Sequence, residues 1–187
     1  MWIYNHAEIF LNNIFKSFIQ TSSSNKFPPS KKDKFLSFSF IKNSCNNIVK
    51  KTKITTKADQ ILIDETKKLT KNLRLEMNKQ NLNQYLKSVI NISFLTNKYI
   101  NDEEPWKLKK TNIDKMNNVL HLSLEQIAKI SILLSPIIPN STSKVLTALN
   151  IDKKKRNLSF LDGKNLLEDE VNINELNILF KKISAWL

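Results

Sequence analysis

The sequence predicts an all-α fold, an antiparallel bundle of four or five helices with an irregular N-terminal segment. Apolar residues recur at the 3.6-residue period of a helix over most of residues 57–149. Prolines and capping residues divide this stretch into pieces of helix length. The chain has 187 residues and one glycine, Gly163, which disfavours a β-barrel because hairpin turns draw on glycine.

The N-terminal part has the least regular pattern. Apolar side chains over residues 2–20 predict a first helix, and residues 21–34 predict a linker because Pro28 and Pro29 break any helix there. The run FLSFSFI at 35–41 is compatible with a short strand or with one buried helical turn. Periodicity does not distinguish the two over so few residues.

Three long periodic stretches follow, and a shorter helix comes after them. The first two are predicted over 57–80 and 81–101, and Pro105 ends the second because it biases Glu104 away from the helical region. The predicted core positions before residue 101 are Ala58, Leu62, Leu69, Leu73, Met77, Leu82, Tyr85, Leu86, Val89, Ile92 and Tyr99.

The third stretch is predicted over 112–135, opened by a capping signature of Thr111 and Asp114. Pro136 and Pro139 end it. A shorter helix over 141–149, capped by Asn140 or Ser141, follows. The predicted core positions of these two helices are Val119, Leu120, Leu124, Ile127, Ile130, Leu134, Val145, Leu146 and Leu149.

These elements divide the chain into three regions. Residues 1–39 are expected to form a divergent or poorly ordered segment, residues 40–151 the helical bundle, and residues 152–187 a C-terminal extension that packs on the bundle.

The net charge of +13, from 30 basic and 17 acidic residues, points to a polyanionic partner. Nucleic acid is the first candidate and an anionic membrane surface the second. Twenty-eight of the basic residues are lysine, which A/T-rich codons also favour, so composition bias is an equal alternative. No run of 18 apolar residues occurs, so no membrane helix is expected, and the lack of a basic leader favours a cytoplasmic location.

Most enzyme chemistries lack the residues they need. One glycine excludes glycine-rich phosphate loops, and one cysteine, Cys45, excludes an internal disulfide and a four-cysteine zinc site. His6 and His121 lie far apart, and adjacent carboxylates such as Glu103 and Glu104 are expected in an exposed loop. We therefore expect no catalytic residue, no bound metal and no cofactor.

A tryptophan in an unusual setting is the remaining candidate site. Pro105 stiffens the backbone before Trp106, and Lys107, Lys109 and Lys110 follow at once. An indole ringed by ammonium groups suits the stacking of an unpaired base while the lysines hold its phosphates. The alternative is that Trp106 closes the end of a helix pair.

Residues 75–151 resemble the anticodon-binding domain of methionyl-tRNA synthetases. The family pattern is Asn-x-Tyr, then Pro-Trp-x-Leu-x-Lys, then a helix ending in Leu-Leu-x-Pro and two apolar residues before another proline. This chain carries LLSPIIPNSTSKVLTALNI at 133–151 and, more loosely, LFKKI at 179–183. The residues that match the first two motifs are Asn97, Tyr99, Pro105, Trp106, Leu108 and Lys110.

The resemblance implies a module that binds the anticodon loop of methionine-accepting tRNA and contributes to its aminoacylation. Pro105 and Trp106 would contact the anticodon, whereas the family's base-reading Asn and Arg fall on Lys32 and Leu36. The HIGH and KMSKS signatures of the family's catalytic half do not occur in this sequence. A separate catalytic synthetase chain is therefore a second expected partner. The alternative is a truncated or degenerate helical fragment that acts only as a partner-binding or scaffold protein.

Overall fold

The computed structural model describes residues 38–53, 55–161 and 165–175. The predicted helix over 2–20 and the linker over 21–34 lie outside these residues. The described elements, in chain order, are α1 (Phe38–Cys45), β1 (Ile48–Lys50), α2 (Lys57–Thr70), α3 (Leu73–Asn78), α4 (Leu82–Glu103), α5 (Pro105–Thr111), α6 (Ile113–Leu134), α7 (Pro139–Ala148), 3₁₀ turns at Lys153–Lys155 and Leu158–Leu161, and β2 (Glu170–Asn172). The predicted all-α bundle is confirmed.

Helix α6 is the centre of the bundle. Fifteen of its 22 residues are buried, because α4, α5 and α7 all pack against it. Helix α4 runs antiparallel to α6, as contacts at both ends show. Near the start of α4, the Tyr85 hydroxyl donates to the Leu133 carbonyl over 2.5 Å. At the other end, Glu103 pairs with Lys115 over 2.7 Å.

A buried carboxylate ties three helices together at one end of the bundle. Asp59 is 2% exposed, and its Oδ1 accepts a 2.6 Å hydrogen bond from the Tyr99 hydroxyl of α4. Its Oδ2 accepts bonds of 2.8 Å from the Asn118 amide of α6 and from the Thr56 backbone N–H. Burial, reinforced by the bond to Asp59, raises the pKa of Tyr99. The Thr56–Asp59 pair is also the capping box that starts α2.

The sequence analysis left two alternatives for the FLSFSFI run at 35–41, a short strand or one buried helical turn. From Phe38 onward the chain is helical, and Ile41 is fully buried. Asn46 and Asn47 then adopt φ angles of 49° and 64°, a left-handed conformation that asparagine tolerates better than most residues. These two residues end the helix and direct the chain into β1.

The predicted continuous helix over 57–80 is wrong at one point, because residues 71 and 72 interrupt it. At the end of α2 the Thr70 hydroxyl bonds back to the carbonyls of Thr66 and Lys67, both at 3.0 Å. The chain restarts as α3 with Leu73, which is 3% exposed. Because the helix is interrupted here, Leu73 lies in the core where α3 packs on α4.

Two predicted helix starts are also shifted. Asn112, rather than Thr111, caps α6, and its Oδ1 accepts the Lys115 N–H over 2.9 Å. The shorter helix begins at Pro139 instead of after Asn140 or Ser141, because a proline at the first helical position needs no hydrogen bond from its nitrogen. Leu82, predicted in the core, is 41% exposed at the start of α4.

Residues 165–173 pack on the bundle through buried polar contacts. The Glu125 carboxylate of α6 accepts the backbone N–H groups of Leu166 and Leu167 at 2.9 to 3.1 Å. The segment continues as β2, which pairs antiparallel with β1 so that Val49 faces Val171. Both valines are buried, so this small ribbon belongs to the core.

We predict that Asp59→Ala lowers the free energy of unfolding by about 3 kcal/mol, because it leaves several buried donors without an acceptor. Asp64 is exposed on the same helix and, among the described residues, bonds only to Gln60. Asp64→Ala should therefore change stability by less than about 0.5 kcal/mol. Urea unfolding of both variants measures the difference, and equal effects would contradict a structural role of Asp59.

We expect alkaline pH to lower the free energy of unfolding because of Tyr85. Burial raises the pKa of the Tyr85 phenol from 10.0 to about 12. Below pH 10 both states hold the proton, whereas between pH 10 and 12 only the unfolded state loses it, so stability falls as pH rises. We expect the stability advantage of the parent over Tyr85→Phe to shrink above pH 10. Urea titrations at pH 8, 10 and 11 test this, and a constant difference would refute it.

Candidate nucleic-acid interface

A sharp corner between α4 and α5 presents the predicted site. Glu104 has φ 45° and ψ 59°, and its backbone N–H still bonds to Ile100 of α4 at 3.0 Å. Its carbonyl accepts the Lys107 N–H of α5 over 2.8 Å. One residue therefore ends α4 and starts α5. Left-handed backbone at a non-glycine residue costs about 1 kcal/mol, which the surrounding contacts offset.

Pro105 and Trp106 form the first turn of α5. Pro105 is buried at the first helical position. The Trp106 side chain is partly exposed and partly packed against the core, as is that of Leu108. The indole Nε1 is buried without a hydrogen-bond partner among the described residues. The Trp106 ring therefore packs against the core and also reaches the surface.

The three predicted phosphate-binding lysines of α5 differ in their contacts. Lys107 pairs with Glu104 at 2.5 Å, and the Lys109 ammonium donates to the Asn43 carbonyl of α1 over 3.1 Å. Lys110 is exposed and has no hydrogen bond or ion pair within the part of the chain that the structure describes. Since residues three and four apart share a helix face, Lys109 and Lys110 lie on the side of α5 that carries Trp106.

The corner between α4 and α5 is stabilised by an ion pair that the sequence did not predict. Glu103 was expected in an exposed loop beside Glu104, but it is the last residue of α4, and its side chain is only 12% exposed. It pairs with Lys115 in the first turn of α6, so the pair spans the corner. The charge pattern alone could not show this, because the two residues lie 12 positions apart with α5 between them.

The remaining candidate residues are held in structural contacts. The Cys45 Sγ lies 3.6 Å from Asn117 Oδ1; burial raises the pKa of this thiol, partly countered by Lys109. His121 is buried, with its Nε2 2.9 Å from the Glu168 carbonyl. Within residues 38–53, 55–161 and 165–175, no three His, Cys, Asp or Glu side chains cluster as metal ligands. No helix among them combines the length and apolar character needed to cross a bilayer.

Comparison with known proteins yields one family. The sequence profile described as the anticodon binding domain of methionyl tRNA ligase matches residues 49–185. Methionine–tRNA ligase of Rickettsia typhi is 39% identical over 109 residues, and that of Rhizobium meliloti is 30% identical over 125 residues. These alignments cover 58% and 67% of this chain but only 22% and 24% of the relatives, so the chain spans about a quarter of their length.

Solved structures agree at the level of the fold. Methionyl-tRNA synthetase of Mycobacterium tuberculosis bound by methionyl-adenylate superposes with a TM-score of 0.78 at 18% identity. The match covers 96% of this chain and 33% of that one. Because the profile match extends over most of the sequence, the chain belongs to the anticodon-binding domain family of methionyl-tRNA ligases.

Proposed function

We propose that this chain binds the anticodon loop of methionine-accepting tRNA and thereby supports methionyl-tRNA aminoacylation. The single observation that carries the proposal is the family profile over residues 49–185, which includes the corner of Pro105 and Trp106. The relatives are methionine–tRNA ligases, a name that refers to the full-length proteins. The anticodon-binding role for this shorter chain is inferred from the part that it shares with them.

The chemistry of the corner supports base stacking. Trp106 is held by its packing against the core, and Pro105 fixes the backbone before it. A ring that is already immobile loses little conformational entropy when a base lies on its exposed part. An unpaired anticodon base offers such a π-face, and stacking of this kind is sequence-tolerant.

Charge on the same face supports binding of the phosphates. Lys110 has no competing partner among the described residues, so its ammonium is available to a phosphate without breaking an ion pair. Lys107 would have to leave Glu104, and Lys109 would have to share its contact with Asn43. We therefore infer that Lys110 makes the strongest phosphate contact of the three.

Activation of methionine with ATP would be supplied by a catalytic part of the synthetase, with which this chain associates. The relatives are about four times as long as the segment that matches this chain, and such a catalytic part would lie in their unmatched length. The expected location is the cytoplasm, where its tRNA would be aminoacylated.

We predict that Trp106→Ala weakens binding of the methionine tRNA anticodon stem-loop by about 1–3 kcal/mol, the range for loss of one base–aromatic stack. Trp106→Phe should keep most of the affinity because it retains an aromatic face. Urea unfolding of both variants separates lost stacking from lost packing. Unchanged affinity of a folded Trp106→Ala protein would exclude the stacking role.

We predict that Lys110→Ala reduces affinity and lowers the slope of log K against log salt by about 0.7, as expected for one lost phosphate contact on single-stranded RNA. Lys144 on α7 is a matched control, because it is also exposed and lies beyond the opposite end of α6. Lys144→Ala should leave the slope unchanged. Filter binding at several salt concentrations measures both, and equal slopes for the two variants would refute the assignment.

A further inference from the structure

Three consecutive acidic residues, at positions 102–104, lie at the corner, and each pairs with a lysine of a different helix. The pairs are Asp102 with Lys98 of α4 at 2.5 Å, Glu103 with Lys115 of α6 at 2.7 Å, and Glu104 with Lys107 of α5 at 2.5 Å. The first pair lies within α4, and the second joins α4 to α6. Of the three, the pair of Glu104 is the one that holds a lysine of the helix that carries Trp106.

Lys107 is the lysine of α5 that lies farthest from the indole around the helix axis. Successive residues of a helix are about 100° apart, so Lys107 lies about 100° from Trp106. By the same geometry Lys109 and Lys110 each lie within about 60° of Trp106. Lys107 and Lys110 are three residues apart and therefore share a second face of α5. Phosphates bound to that second face would not bring a base onto the indole.

The Glu104 carboxylate is fixed beside the Lys107 ammonium. The Glu104 backbone bonds to Ile100 of α4 on one side and to the Lys107 N–H on the other, at 3.0 and 2.8 Å. The Lys107 side chain is 65% exposed, so a polyanion in solution can reach the pair. A phosphate that binds Lys107 must displace the carboxylate and is also repelled by it, because both groups are anionic.

We propose that Glu104 is a specificity-determining residue for RNA binding, because its pairing with Lys107 disfavours phosphates bound away from Trp106. An RNA whose unpaired base stacks on the indole places its phosphates near Lys109 and Lys110, and it needs no contact with Lys107. An RNA without an unpaired base has phosphates alone to offer, so the masking of Lys107 removes part of its attraction. Specific interfaces commonly combine attractive contacts with a repulsive element of this kind. This inference rests on the proposed function and adds the residue that discriminates between RNAs.

Two RNAs with the same number of phosphates test the proposal: the anticodon stem-loop of methionine tRNA and a fully paired RNA duplex. Glu104→Gln removes the charge but keeps the size of the side chain. We expect it to raise the affinity for the duplex about fivefold and to steepen the slope of log K against log salt by about 0.9, as for one added phosphate contact on a double helix. The affinity for the stem-loop should change less than about twofold, because its phosphates lie at the other lysines. No gain on the duplex, or equal gains on both RNAs, would overturn the proposal.

Two further variants separate the release of Lys107 from a general change of charge. Asp102→Asn removes the same charge two residues away, from a pair that lies within α4, and should leave the duplex affinity within about twofold of the parent. The double variant Glu104→Gln/Lys107→Gln should return the affinity and the salt slope for the duplex to the parent values, because the gain requires the freed ammonium. A gain that persists in the double variant would refute the role of Glu104.

The outcomes also separate this inference from the proposed function. If the parent protein does not bind the stem-loop, the proposed function fails and this inference fails with it. If the parent binds the stem-loop in a manner that depends on Trp106, yet Glu104→Gln and Asp102→Asn bind the duplex equally, the proposed function stands and the specificity role of Glu104 is refuted.

Discussion

The antiparallel contact between α4 and α6 is the constraint on which the rest of the molecule depends. Both helices have 22 residues, and they are fixed to each other near each end by contacts of different chemistry. At one end the Tyr85 phenol donates to the Leu133 carbonyl, and at the other end Glu103 forms an ion pair with Lys115. Helices α2, α5 and α7, and strand β1, all pack against this pair, so its register sets their positions.

The candidate site follows from this register. Two antiparallel helices of equal length need a connection at their common end, and here the connection is the seven-residue helix α5 rather than a simple loop. A short helix between two long ones requires an abrupt change of direction, which the left-handed Glu104 provides. The same change of direction brings Trp106 to the edge of the core, where its ring packs against the core and stays partly exposed.

The sequence was sufficient to predict the helices in which the 3.6-residue apolar period extends over many residues. It was also sufficient to predict the corner, because Pro105 and the motif around Trp106 are local signals. The break after Thr70 and the ribbon of β1 and β2 were missed, because they depend on side chains and strands far away along the chain. Thr56 and Asp59 have capping-box spacing, so the start of α2 could have been predicted. The further role of Asp59 as the acceptor for Tyr99 and Asn118 could not, since it depends on residues 40 and 59 positions away in other helices.

The pairing of β1 with β2 has a consequence for how the chain matures during translation. About 120 residues separate the two strands, so β1 leaves the ribosome long before its partner exists. During that interval the helices can pack, because their contacts are mostly formed within the intervening sequence. The backbone edge of β1 stays unpaired until then, and an unpaired edge is a template for association with other chains. Pairing with β2 therefore covers an edge that would otherwise favour aggregation of the nascent chain.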